Sequence, residues 1–130
     1  MKPVKLEFSI FGFGGPECSV RLENGKLVYQ FCTFPGNPDK LCEVLPTERK
    51  WKNFKKKLDD LDVWSWAQEY HNPGVCDGVQ WSLEIDFGGQ KIKSSGSNLF
   101  PGSKDFGMDE TPEFKAFLHA LKLLIGGLTL

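Results

Sequence analysis

From Val79 to Phe87 every second residue is apolar (Val79, Trp81, Leu83, Ile85, Phe87), and polar residues fill the gaps. A period of two marks a strand with one buried face. Gly88-Gly89 follows and is expected to supply both positive-φ positions of a two-residue hairpin turn. With Phe87 opposite Gln90, Asp86 faces Lys91, Glu84 faces Lys93, Ile85 meets Ile92, and Trp81 lies opposite Gly96. One register thus gives two opposite-charge pairs on the wet side and an apolar pair on the buried side. It also places an indole over a position that has no side chain.

The same alternation recurs earlier. Val4, Leu6, Phe8 and Ile10 alternate with Lys5, Glu7 and Ser9. Cys18 to Glu23 and Lys26 to Phe31 flank Asn24-Gly25, a strong hairpin signal. Its register sets Glu23 against Lys26 as an ion pair at the tip, Leu22 against Leu27, and Val20 against Tyr29, with Arg21 and Gln30 turned to water. Residues 33–46 hold three prolines, which exclude a helix and read as a loop.

Helical spacing then takes over. Thr47 is a cap, and Trp51, Phe54, Leu58 and Leu61 form one apolar stripe ending near Leu61. Val63 to Trp66 reads as a short strand or an irregular turn, and 70–78 as a loop. Thr111-Pro112-Glu113 opens a second helix carrying Phe114, Phe117, Leu118, Leu121, Leu124 and Ile125, and Gly126-Gly127 stop it. Residues 128–130 form a tail with no assigned docking.

These elements predict a single α+β domain over 1–130: two layers, an antiparallel sheet of about five strands, and two helices packed on one face. A pseudo-repeat accompanies it, with halves of roughly 1–62 and 63–130. Phe34-Pro35-Gly36 and Phe100-Pro101-Gly102 are 66 residues apart, and the caps Thr47 and Thr111 are 64 apart. A loop carrying Asp39 or Asp105 lies between each pair.

About three quarters of the chain resembles small uncharacterised bacterial proteins built as hairpin, helix, DG-x-x-W-x-L strand and GSN-x-x-P turn. The residues that carry the likeness are Trp51, Leu58, Asp77, Gly78, Trp81, Leu83, Gly96, Ser97, Asn98 and Pro101. The resemblance brings no activity with it, and no cofactor is expected from the sequence.

Composition narrows the classes. Charged residues make up 25% and apolar residues 40%, and eleven Phe and four Trp imply a core of large rings. Sixteen basic against seventeen acidic side chains argue against general nucleic-acid affinity. The N-terminus shows no signal-type apolar run and no segment is long enough to span a membrane, so the expectation is a cytoplasmic monomer. Cys18, Cys32, Cys42 and Cys76 lack CxxC spacing and read as free thiols, with a Cys42–Cys76 disulfide as the alternative. The Gly12–Pro16 loop has no following helix and fails as a phosphate loop. No metal or catalytic set is assigned.

Two surfaces remain. His71, Asn72 and Asp77 before the central strand, and Ser97 and Asn98 after its partner, gather at one sheet end. Trp64 and Trp66 are candidates to flank a groove. This favours a non-catalytic module for a protein or small-molecule partner, with a hydrolase using His71, Asp77 and Ser97 as the rival. The second surface is the basic helix run Arg49–Lys57, where Arg49, Lys52, Lys55 and Lys56 are candidate phosphate ligands and a nucleic-acid or phosphate binder is the second rival.

Overall fold

A computed structural model describes residues 2–12, 16–34, 37–72, 78–103 and 110–130. The strands are β1 (Lys5–Gly12), β2 (Glu17–Glu23), β3 (Lys26–Phe34), β4 (Asn37–Val44), β5 (Glu69–His71), β6 (Val79–Asp86) and β7 (Lys91–Ser97). The helices are α1 (Glu48–Asp60) and α2 (Pro112–Leu124). The strands form one sheet in the order β4-β3-β2-β1-β6-β7-β5.

The sheet has seven strands where the sequence pattern gave about five, and it is mixed. Both additions lie at its edges, in stretches read as loops. β4 includes Pro38 and Asp39, and an edge strand tolerates proline because one side of its backbone needs no partner. β5 is three residues long and runs parallel to β7, a pairing too short to leave a periodic signal. Every registration foreseen for the two hairpins holds, including Trp81 opposite Gly96 and Val20 opposite Tyr29.

Details at the tips differ. Gly88 has positive φ (+93°) and Gly89 does not, so the tip uses one such position instead of two, and Asp86 Oδ1 accepts from the Gly88 amide at 2.7 Å. The ion pairs are also redistributed. Glu23 bonds Arg21 (2.9 Å), Lys26 reaches Glu43 of β4 (3.3 Å), and Glu84 pairs with Lys5 of β1 (3.2 Å). A third strand beside each hairpin offers partners that a two-stranded register cannot foresee.

Both helices begin at a threonine whose hydroxyl accepts from the third helical amide, at 3.2 Å in each case. Their apolar stripes (Trp51, Phe54, Leu58; Phe114, Phe117, Leu121) join Leu6, Phe8, Val20, Leu83 and Ile85 in one core. Phe114 sits at its centre, with ring centroids 4.8 Å from Phe100, 5.0 Å from Trp81, 6.3 Å from Phe117 and 6.4 Å from Phe8. The tail docks too. The Thr129 carbonyl accepts from the Tyr29 hydroxyl and, at 3.3 Å, from the Cys18 thiol. Burial pushes both of these groups above their ordinary pKa. Cys18, Cys32 and Cys42 are free thiols, so Cys42 forms no disulfide and the free-thiol reading holds for all three; Cys76 and residues 13–15 lie outside the described residues. Among the described residues no helix is long and apolar enough to cross a membrane.

Candidate functional site

The parallel β5–β7 pairing sets His71 directly opposite Ser97, and the Asn72 amide donates to the Ser97 carbonyl at 3.1 Å. Four of the five loop residues singled out above therefore do meet at one sheet end. Asp77 lies outside the described residues. The four are not equivalent. His71 is exposed and Ser97 half-buried, but Asn72 and Asn98 are buried, Asn98 to 1% exposure.

Asn98 is occupied structurally. It adopts φ +55°, its amide donates to the Val79 carbonyl at 2.9 Å, and its Oδ1 accepts from the Val79 amide at 2.9 Å. The side chain thus completes the ladder beyond the end of β7. It fills the space where a Cβ on Gly78 would stand, since such an atom would lie 3.0 Å from Asn98 Cγ.

The two indoles, both half-buried, have different neighbours. Asp62 turns left-handed (φ +50°) and Val63–Ser65 form a 3₁₀ turn, so consecutive side chains rotate by about 120° instead of alternating. Trp66 packs against the core, with ring centroids 5.7 Å from Phe117 and 6.5 Å from Trp81. Trp64 lies edge-on to Phe87 at 6.1 Å, and its Nε1–H donates to Asp59 at 2.9 Å.

The same corner removes Lys55 from the phosphate set. Its Nζ is 2.8 Å from both Asp59 carboxylate oxygens and 5.6 Å from the Trp64 ring centroid. Arg49, Lys52 and Lys56 remain exposed. The Lys55 hydrogen bond, then the Trp64 N–H, hold the Asp59 carboxyl below its ordinary value. A depressed carboxylate stabilises the fold above its unfolded pKa, and that contribution is lost as pH falls through the folded value. Because the pair is partly exposed, Asp59→Asn is expected to cost only a few tenths of a kcal/mol at neutral pH. Urea titrations should show the gap closing below about pH 3.9.

Sequence reasoning missed the centre of the open sheet face. Ser19, Ser9, Ser82 and Ser95 stand directly opposite one another on β2, β1, β6 and β7, with Gln30 and Glu69 continuing the row at either end. The hydroxyls of Ser9 and Ser82 are 2.8 Å apart. The next row toward the His71 end runs Phe11, Gln80, Ser97, His71. Two hollows of about 610 and 290 Å³ lie along these rows and share Glu69, Ser82 and Ser95 in their walls. Ser82 opposite Ser95 follows from the hairpin register, but the join to Ser9 needs the long-range β1–β6 pairing. Threonine would keep the hydroxyl with better strand propensity, so serine's distinct contribution here is the space it leaves.

Among the described residues no three His, Cys, Asp or Glu side chains converge as a metal site. No protein-family model matches the chain, and no curated protein matches it in sequence.

Proposed function

We propose that this is a non-catalytic binding module whose ligand lies along the serine rows of the open sheet face, between β1 and β5. The observation that carries the reading is the aligned row Ser19–Ser9–Ser82–Ser95, bounded by Gln30 and Glu69, with Gln80, Ser97 and His71 beside it. Hydroxyl, amide, carboxylate and imidazole groups displayed on one shallow trough suit a neutral, hydroxyl-rich ligand such as a short oligosaccharide. The hydroxyl and amide groups both donate and accept, and the exposed Glu69 carboxylate accepts from ligand hydroxyls. Phe11, 39% exposed at the end of the trough, offers a ring on which a sugar face can stack.

Of the three residues of the hydrolase rival, His71 and Ser97 stand opposite each other and Asp77 lies outside the described residues. A nucleic-acid reading would need a row of exposed rings, and Phe11 stands by itself on this stretch of strand. The two matching Thr-capped helices, 13 residues each, support reading the halves as related units.

Titration of the ¹⁵N-labelled chain with a panel of neutral oligosaccharides tests the module. Saturable shifts should cluster at Ser9, Gln80, Ser82, Ser95 and Ser97, and Ser82→Tyr, at an exposed position, should abolish them while the chain stays folded. Shifts elsewhere, none at all, or the same shifts in Ser82→Tyr would refute the reading.

A further inference from the structure

We infer that the groove between α1 and α2, on the layer opposite the serine trough, docks an acidic amphipathic helix of a partner protein. The groove encloses about 490 Å³. Phe54 of α1 and Ala120 and Leu124 of α2, all largely buried in the core, form its floor, and Leu123, on the α2 bank, is 56% exposed. The α1 bank is cationic. Lys50, Asn53 and Lys57 recur at spacings of three and four along one side, with Lys56 beside them and Asp60 the one carboxylate among the lining residues.

Three ammonium groups against one carboxylate, beside an apolar strip, select a ligand with one greasy face and an anionic flank. An isolated phosphate would satisfy the lysines and leave Leu123 wet. A polynucleotide would satisfy them without covering Leu123. A helix with leucine-like residues at i, i+3, i+4 and i+7 and acids alongside satisfies both sides at once. From Lys50 to Asp60 the groove runs about 15 Å, which matches about three helical turns. Lys55, held by Asp59 and Trp64, takes no part, so the docking set differs from the lysines that the sequence pattern nominated.

The test uses the full ¹⁵N-labelled chain and one synthetic peptide of about 14 residues, with leucines at those four positions and glutamates elsewhere. Saturable shift changes should be confined to residues 50–60 and 116–124. Leu123→Glu, at an exposed site, should weaken binding by about tenfold without altering the folded spectrum. Lys57→Glu should weaken it severalfold, as should added salt. Four results would each overturn the proposal: no perturbation at millimolar peptide, equal binding of the lysine-for-glutamate peptide, indifference to both variants, or binding of phosphatidylserine vesicles in place of the peptide. None of these results depends on the ligand of the opposite face.

Discussion

Phe114→Ala should be the most damaging single truncation in the protein, lowering stability by about 3–5 kcal/mol. The side chain is fully buried and meets four other rings, from β1, β6, α2 itself and the segment after β7. Removing it deletes the transfer energy of a phenyl group and opens a cavity whose walls belong to elements fixed by their own hydrogen bonds. Little collapse can then repair the loss. A total of about 5–15 kcal/mol is usual for a domain, so the variant should be close to unfolded in mild denaturant. Thermal melts should show a midpoint drop of roughly 12–20 °C, and urea melts a lower midpoint concentration. A loss under 2 kcal/mol would mean that the five rings do not pack as one unit.

Gly96→Ala should come next, although it adds only one methyl group. A Cβ at this position would overlap the Trp81 indole nitrogen and stand 2.5 Å from the Leu99 carbonyl oxygen. Those two atoms are the partners of a hydrogen bond, Trp81 Nε1–H to Leu99 O at 3.0 Å. The methyl therefore intrudes on the bond and forces a buried ring to move. Overpacking costs about 1–3 kcal/mol and an unsatisfied buried donor a further 1–3. We expect a combined loss of about 3–4 kcal/mol, with a red-shifted Trp emission reporting the displaced indole. Gly89→Ala is the control, since nothing lies within 4 Å of its Cβ position, and it should be near neutral. Equal stability of the two variants would show that the Trp81–Gly96 contact is not tight.

Both effects were legible in outline before any coordinates. The 79–97 hairpin announced its register through alternation and charge, and that register is the one observed, down to Trp81 over Gly96. The second helix announced its cap, its stripe and its stop. What failed had short range or weak period. β5 spans three residues, β4 carries a proline, and Val63–Ser65 turn by a third of a revolution per residue, sending Trp64 and Trp66 to different places. The candidate site was legible only in part. The approach of His71 to Ser97 could be anticipated, because both flank the central hairpin. That Asn98 is consumed in closing the ladder, and Lys55 in holding Asp59, could not, because each role depends on which neighbour the fold supplies.

By itself the chain determined its strands with one wet face, its two hairpin registers and its two amphipathic helices, because those follow from interactions between residues close in sequence. The tertiary structure alone decided that β1 joins the hairpins, and with it the row of four serines and the α1–α2 groove. Pairings across seventy or more residues are selected by the packing of the whole core, and no local pattern encodes them.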